Sequence, residues 1–457
     1  MTWPRRRGLD VSTIPALPER GTLSAGRMLL IWLAANLVVT TLLTGTLFLP
    51  GVSYTTALAA IAGGTLLGAL VLVGVGAIGT RTGLPTMALT RSVFGHRGSL
   101  LAVGANVIVL MGWSWVQAML AGLAVDYLVA SATGFSSPVL FAVLCQTVVV
   151  GLAILGHEGI ARIEPWLGLI MLGFMAWVFI QAFTSFAPAE FQAIETDPAL
   201  GLTGGIAFDI VFATAISWTV LSADINRLAR SPRAGIIGSG IGYSLSTMAS
   251  MTLGLTAFGY VLLRGADAVE FDPATIVSAF GWPLAVIMFV SVMATNTMVV
   301  YGMTTSVVNA VQGRTLPFVR TALVLGAISI LGATWFGLLE RFTDFLVLIG
   351  AFFVPVFAII LADYVLIRRG RTPLDVLRPR GAAVWFTGGF HLWALAVWVL
   401  GSVTSVLLTF VWPSPVGATV PVFVLSATLY TLGALALGRR RSADSRRSEP
   451  SLEEARA

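Results

Sequence analysis

The side chains in this sequence best suited to binding chemistry are an indole and a carboxamide in one apolar segment. In GANVIVLMGWSWVQAMLAG, Asn106, Trp113 and Gln117 are seven and four residues apart, so a helix would carry them on one face. A flat heterocycle could stack on the indole while the amide offers a donor and an acceptor to the edge of the ring. Trp218, in FATAISWTVLSAD, could supply a second aromatic wall. The alternative is that Trp113 is one more packing or lipid-facing tryptophan.

A second group of polar residues could bind a hard cation. Ser291 and Thr295 are one helical turn apart in SVMATNTMVVYGMTTSVVN, and Asn296 adjoins them. Their oxygens, together with backbone carbonyls freed by an unwound first helix, would form a plausible cage for Na⁺. The alternative is that these groups only form hydrogen bonds between helices.

Two apolar stretches contain similar polar interruptions. One is the first apolar stretch of the chain, which reads AANLVVTTLLTG and has Asn36 ahead of three threonines. The other is the sixth apolar stretch, which contains Trp218. They stand in corresponding positions if residues 28–186 and 204–367 are two five-helix halves. Such paired interruptions indicate an inverted-repeat transporter with broken helices at its binding site. The alternative for any one of these hydroxyls is that it only forms a hydrogen bond to the backbone of its own helix or to a neighbouring helix.

The composition excludes a soluble protein. Of the 457 residues, 57% are hydrophobic and 11% are charged, whereas about 25% are charged in a typical soluble domain. The net charge of +6 does not indicate nucleic-acid binding, because all basic residues are arginines in short clusters between apolar runs. The expected surroundings are a lipid bilayer, with no nucleic-acid partner.

The sequence contains no residue pattern typical of a metal centre or of covalent catalysis. The one cysteine, Cys145, lies in an apolar run, and the three histidines are far apart in sequence. No nucleophile elbow, P-loop or dinucleotide-binding motif is present. We therefore expect neither enzymatic activity nor an organic cofactor.

Hydropathy predicts an all-α integral membrane protein with twelve spans, since a spanning helix needs about 20 mostly apolar residues. The expected spans are 28–49, 55–79, 100–130, 138–156, 165–186, 204–223, 236–262, 278–310, 319–338, 343–367, 385–409 and 417–437. Residues 1–26 form a polar N-terminal segment, 27–438 the membrane domain, and 439–457 an arginine-rich tail.

The arginines predict the orientation. With the N-terminus in the cytoplasm, 25 of the 27 arginines fall in inside segments and only Arg264 and Arg341 fall outside. This asymmetry predicts a multi-pass protein of the cytoplasmic membrane with both termini in the cytoplasm.

The segment TGLPTMALTRSVFGHRG resembles the signature of the purine–cytosine permeases, a branch of the nucleobase–cation symporter family. Other segments agree in order and spacing: GWSWVQAMLAG, SWTVLSADINRLARS, ATNTMVVYG and ADYVLIRRG resemble the third, sixth, eighth and tenth helices of that family. The resemblance extends from about Arg27 to Arg369 and continues more weakly beyond.

The resemblance implies a leucine-transporter-like fold of two inverted five-helix repeats plus two extra helices at about 385–437. It also implies uptake of a nucleobase-like heterocycle together with Na⁺ or H⁺. The implied substrate residues are Trp113, Gln117, Trp218, Asn296 and Asn36; the implied cation residues are Ser291 and Thr295, with carbonyls of the first helix. The resemblance assigns a structural, cytoplasmic role to the loop residues Gly83, Pro85, Arg91, Gly95, Arg97 and Gly98.

Two departures from the family pattern bear on the substrate. Hydantoin- and allantoin-type members are expected to have an asparagine close to Val300, and an aromatic residue is usual where this chain has Ile225. The first departure favours a cytosine- or purine-like substrate. A permease for hydroxymethylpyrimidine, hydantoin or allantoin-type rings is the alternative, followed by a membrane enzyme and a channel.

Overall fold

The structure, a computed structural model, describes residues 21–155, 158–266, 268–310, 316–377, 384, 386–414 and 417–438. Residues 1–20 of the N-terminal segment and the whole tail 439–457 lie outside this description. Within the described ranges there are eighteen α-helices, α1 to α18 in chain order: Ala25–Asn36, Val39–Thr46, Tyr54–Thr82, Thr86–Phe94, Gly98–Thr133, Pro138–Leu155, Glu158–Ser185, Pro188–Gln192, Gly204–Thr219, Ser222–Asn226, Pro232–Leu263, Pro273–Phe280, Trp282–Ala310, Phe318–Gly332, Gly337–Glu340, Phe342–Ala362, Leu392–Val406 and Thr419–Gly438.

A helix overlies each predicted span, but the number of crossings is not fixed by helix length alone. Over the described ranges, eight helices are long and apolar enough to cross a membrane, and the bent pair α1 and α2 makes a ninth. The segments Leu172–Ser185, Gly204–Thr219 and Phe318–Gly332 are apolar but shorter. The protein is thus a helical, multi-pass membrane protein, and the count of twelve spans stays a prediction.

Two predicted spans begin later in the structure than hydropathy indicates. The predicted span 278–310 contains a break, because α12 ends at Phe280 and Gly281 adopts a φ of +84° before α13 begins. The predicted span 385–409 becomes helical only at Leu392. Before it, Gly388 and Gly389 have positive φ values, which end regular structure in an otherwise apolar segment.

Both predicted interruptions are present as helix breaks. The helices α1 and α2 meet at an angle of 57°, with Leu37 and Val38 between them and Val38 extended. The sixth span divides at Val220 and Leu221, between α9 and α10. A helix leaves its last carbonyls and first N–H groups without partners along its own backbone, so each break exposes polar backbone inside the protein.

Many of the helices pack in one of two groups. One group consists of α1, α2, α3, α9, α10 and α11, and the other, here called the α5 group, consists of α5, α6, α13 and α14. Helix α16 packs against α9 and α3 of the first group and also contacts α5. The last two helices, α17 and α18, pack on α16. Leu70, Ile108 and Leu331 point outward with more than three-fifths of their surface exposed, as lipid-facing side chains do.

Close helix contact in the first group depends on glycine. At the crossing of α2 and α11, a Cβ on Gly45 would overlap the carbonyl oxygen of Met251, and one on Gly254 would overlap that of Leu42. Small residues at crossings let helix backbones approach closely, and the resulting van der Waals packing is one of the forces that hold helices together in lipid.

The segment that carries the family-like signature, residues 82–98, is not the loop expected from the sequence, because helix α4 occupies Thr86–Phe94 within it. At its start, the backbone N–H of Thr86 donates to a carboxylate oxygen of Asp224 at 3.0 Å, and the Thr86 hydroxyl accepts from the N–H of Ala223. At its end, the N–H groups of Arg97 and Gly98 both donate to the carbonyl of Gly389. This segment thus connects α10 with the residues before α17.

Candidate functional site

Three of the predicted substrate and cation residues, Gln117, Thr295 and Asn296, meet where α5 crosses α13. Three side-chain contacts join these helices: Gln117 with Thr295, Ser114 with Asn296, and Asn106 with Ser306. The residue numbers fall on α5 as they rise on α13, so the two helices are antiparallel. The structure therefore places the face of α5 predicted from the sequence against the polar segment of α13.

Gln117 and Thr295 are in direct contact. The Thr295 Oγ1–H donates to Gln117 Oε1 at 2.6 Å, and the same Oγ1 lies 3.0 Å from the carbonyl oxygen of Ser291. Gln117 and Ser291 are both 4% exposed. The proposed substrate amide and the two proposed cation residues thus form one buried polar group.

Trp113 has aromatic neighbours that the sequence did not indicate. Its half-buried indole contacts Phe342 and Phe345 of α16 edge-on, with ring centroids 5.7 Å apart in each pair. Phe342 in turn stacks on Phe271, in the loop before α12, at 3.7 Å. These phenylalanines lie in or beside apolar runs and carry no polar signal, so only the tertiary structure identifies them.

Trp218, the predicted second wall, packs within the first helix group. Its ring contacts that of Trp32 in α1 at a centroid distance of 6.3 Å and an angle of 70°. The Trp32 indole N–H donates to Asn226 Oδ1 at 2.8 Å, so Trp32 is fixed from both sides. Trp218 and Trp113 thus make their ring contacts with different partners.

Asn36 lies at the break between α1 and α2. Its side chain is fully buried, its Oδ1 accepts from the Thr41 hydroxyl at 3.1 Å, and its Nδ2 donates to the Thr247 hydroxyl of α11. The amide therefore holds the two half-helices and α11 together at the point where backbone pairing is lost.

Asn296 belongs to a buried cluster, here called the amide cluster, that consists of Ser114, Gln146, Asn296 and Ser329. None of these four side chains is more than 1% exposed. The Gln146 Nε2 donates to the hydroxyls of Ser114 and Ser329 at 2.9 and 2.7 Å, and its Oε1 accepts from Asn296 Nδ2 at 2.7 Å. One carboxamide thus links α6 to α5, α13 and α14.

The remaining bonds of the amide cluster use every hydrogen it can donate. Asn296 gives its second N–H to the Ser114 carbonyl at 3.2 Å and accepts from the Ser114 hydroxyl at 2.8 Å. The short contact of 2.7 Å between Ser114 and Ser329 must then have Ser329 as donor, because the Ser114 hydrogen is already committed. Asn296 is therefore turned toward α5 and α6.

Sequence reasoning missed Gln146 and Ser329. The available signal for Gln146 was a carboxamide inside an apolar span, where an unpaired polar group is costly. No pattern in the sequence indicated that its partners lie on three other helices.

The end of α1 can contribute oxygens to a cation. The carbonyl of Leu33 accepts from the N–H of Leu37, whereas the later carbonyls of the helix have no following turn to pair with. The C-terminal end of a helix carries partial negative charge, and α2, the helix that follows this break, packs against α13. No group of three His, Cys, Asp or Glu side chains comes together in the described ranges. The oxygens observed at the contact of α5 with α13 are those of hydroxyls, amides and backbone carbonyls.

The arrangement as a whole offers binding groups. It combines the indole surface of Trp113, the buried amide of Gln117, and the hydroxyl and carbonyl oxygens of α13. These groups can hold a flat polar ring and a dehydrated monovalent cation close together.

Comparison with known proteins identifies relatives along most of the chain. Residues 14–433 match the family described as "Permease for cytosine/purines, uracil, thiamine, allantoin". A putative purine-cytosine permease, YxlA of Bacillus subtilis (strain 168), is 28% identical over 387 residues, which cover 78% of this chain and 80% of that protein. The cytosine permease of Escherichia coli (strain K12) is 26% identical over 327 residues, covering 70% and 72%. The putative allantoin permease of the same strain is 23% identical over 441 residues, covering 88% and 89%.

Solved structures show the same fold. The inward-facing conformation of Mhp1 superposes with a TM-score of 0.80 at 17% identity, covering 96% of each chain. Mhp1, a nucleobase-cation-symport-1 family transporter, in a closed conformation with bromovinylhydantoin bound gives 0.75 at 20% identity, covering 98% of this chain and all of that one.

Proposed function

The chain belongs to the family of permeases for cytosine/purines, uracil, thiamine and allantoin, and from this premise we propose that it imports a nucleobase or related small heterocycle together with a cation. Membership of this family makes the protein a membrane transporter and not an enzyme. The proposed mechanism is alternating access, with Na⁺ as the first candidate for the coupling ion and H⁺ as the second.

The proposed architecture is twelve spans in two inverted five-helix repeats, 28–186 and 204–367, followed by two extra helices. Two observations support it: the helix breaks in the first and sixth spans, and the antiparallel packing of α5 and α13. In an inverted repeat the third and eighth spans correspond and run in opposite directions, as these two helices do. We place both termini in the cytoplasm because of the arginine distribution.

The observation that carries the functional proposal is the hydrogen bond between Gln117 and Thr295. Gln117 lies one helical turn after Trp113 on α5. We propose that the heterocycle stacks on the Trp113 indole and bonds to the Gln117 amide. Thr295 and Ser291 then supply cation oxygens together with carbonyls at the end of α1. Trp218 stays a candidate wall, while Asn296 and Asn36 would act through the packing of the helices that they join.

A cytosine- or purine-like ring is the first candidate substrate; hydroxymethylpyrimidine, hydantoin and allantoin-type rings are the alternatives. The buried Val300, where an asparagine was expected for some of these alternatives, lies in an apolar cluster with Val149, Val150 and Ala153 of α6. The side chain at this position faces another helix, so it is a weak guide to the substrate.

Counterflow in proteoliposomes tests the proposed function. Vesicles loaded with an unlabelled heterocycle should accumulate the labelled one transiently, and unlabelled cytosine, purines, uracil, hydantoin and allantoin should compete in an order that identifies the class. No counterflow with any of these rings would contradict the proposal. Chemical alteration of the label would indicate an enzyme, and uptake without exchange stimulation a channel.

The stacking role of Trp113 gives a quantitative prediction. Base–aromatic stacking is worth roughly 1–3 kcal/mol per base, so Trp113→Ala should weaken binding about 5- to 150-fold. Trp282→Ala, which removes an indole that is 66% exposed on another helix, is the matched control and should bind normally. Equal affinities of wild type and Trp113→Ala in competition binding would contradict stacking of the heterocycle on Trp113.

A further inference from the structure

The hydrogen bond between Thr295 and Gln117 directly connects a residue proposed to bind the cation with a residue proposed to bind the heterocycle. We propose that this bond transmits the effect of Na⁺ to the heterocycle: Na⁺ on the Thr295 oxygen fixes the Gln117 amide so that its N–H groups face the ring. This inference rests on the proposed function and adds to it a route of coupling and a chemical requirement for the substrate.

The first step is the position of the Thr295 hydrogen. The hydroxyl has one hydrogen and three acceptors in reach, at 2.6 Å from Gln117 Oε1, 3.0 Å from the Ser291 carbonyl and 3.2 Å from that of Val292. When the hydrogen goes to Gln117, the amide oxygen is occupied. The Gln117 Nε2 makes no hydrogen bond to any described residue, so its N–H groups remain available to a ligand.

The second step is that the opposite arrangement fits the same heavy-atom positions. With the amide reversed, Gln117 Nε2 would donate to Thr295 Oγ1, and the Thr295 hydroxyl would donate to the Ser291 carbonyl one turn back. The amide would then present its oxygen to the ring. Two hydrogen-bond arrangements with opposite faces toward the substrate are therefore possible at this contact.

The third step is the effect of the cation. A Na⁺ bound to Thr295 Oγ1 repels N–H hydrogens directed at the same oxygen and makes the hydroxyl a stronger donor. It therefore favours the arrangement in which Thr295 donates and Gln117 offers N–H groups. A heterocycle with a carbonyl oxygen or an unprotonated ring nitrogen at that edge gains from Na⁺, and by linkage the ring strengthens Na⁺ binding equally.

The test measures how much Na⁺ changes heterocycle affinity in variants that retain the Thr295 oxygen. A net hydrogen bond is worth about 0.5–1.5 kcal/mol, so the dissociation constant of the wild type should fall about 2- to 12-fold from zero to saturating Na⁺. Gln117→Met keeps the length of the side chain but has no amide. It should bind more weakly and show a ratio near 1.

A matched pair of ligands tests the donor requirement. Replacing the ring oxygen by sulfur keeps the shape of a heterocycle and weakens its acceptor. Wild type should prefer the oxo compound over the thio compound, more strongly with Na⁺ present. Gln117→Glu, which accepts from Thr295 but has no N–H groups, should lose that preference. Thermal unfolding of each purified variant checks that it is folded.

The outcomes separate this inference from the proposed function. If Gln117→Met binds more weakly but keeps the Na⁺ ratio of the wild type, coupling takes another route and the inference is wrong while the transporter stands. If the wild type binds heterocycles but responds to pH and not to Na⁺, the inference is also wrong. If the wild type binds none of the heterocycles, the proposed function fails and the inference fails with it.

Discussion

Gln146 joins four helices through one side chain, although its hydrogen bonds do not include Gln117 or Thr295. Its amide bonds to Ser114, Asn296 and Ser329, and the first two are the immediate neighbours in sequence of Trp113 and Thr295. Since adjacent residues on a helix point in different directions, bonds to Ser114 and Asn296 fix the rotation of α5 and α13 about their axes. The amide cluster therefore holds the binding face in position from behind.

Gln146→Leu should destabilise the protein by about 1–2 kcal/mol, because it leaves buried donors and acceptors of the amide cluster unpaired. Thr304→Val is the matched control: Thr304 is fully buried on α13, but its hydroxyl bonds only to the Val300 carbonyl of its own helix. Thermal unfolding in detergent should show a clear loss for Gln146→Leu and a smaller one for Thr304→Val. Equal losses would mean that the amide cluster contributes no special stability.

At the scale of helices, the crossing of α2 and α11 allows no added side chain. Gly254→Ala should separate the two helices and destabilise the protein by about 1–3 kcal/mol, since its Cβ would meet backbone that cannot move alone. Gly104→Ala is the matched control, with no atom within 4 Å of the added Cβ. It should be neutral or slightly stabilising because alanine favours helix. Comparable unfolding temperatures for the two variants would contradict the close crossing.

Much of the helix layout is predictable because hydropathy and arginine distribution are properties of consecutive residues and need no knowledge of the tertiary structure. The breaks in the first and sixth spans could be expected from their polar interruptions. The break at Gly281 was missed. Gly281 alone is a weak signal, since Gly326 lies within the continuous helix α14, but Pro283 two residues later favours the first turn of a new helix.

The candidate site was predictable only in part. Trp113 and Gln117 share a face by spacing alone, but Thr295 and Asn296 are neighbours that point in different directions. The sequence cannot tell which of them faces the ligand and which faces α6. That choice depends on Gln146, whose position opposite Asn296 is a property of the tertiary structure.

At the scale of the whole molecule, the orientation in the membrane can be tested with single cysteines. On a background with Cys145→Ala, Glu195→Cys should react with an impermeant thiol reagent in intact cells, and Arg230→Cys only after permeabilisation. The reason is that arginine-rich loops stay in the cytoplasm. Both positions lie outside the long helices, so the substitutions should not disturb packing. Labelling of Arg230→Cys in intact cells would contradict the predicted orientation.

The central claim, that cation and heterocycle bind next to each other at the contact of α5 with α13, is tested most directly by uptake across a Na⁺ titration at fixed pH. Wild type, Thr295→Ser and Thr295→Val should be compared in the same proteoliposomes. Thr295→Val keeps the shape but removes an oxygen, so half-maximal uptake should require several-fold more Na⁺, and substrate affinity should fall mainly at low Na⁺. Thr295→Ser should remain close to wild type. Identical Na⁺ dependence in all three proteins, with Thr295→Val merely less stable, would contradict the claim.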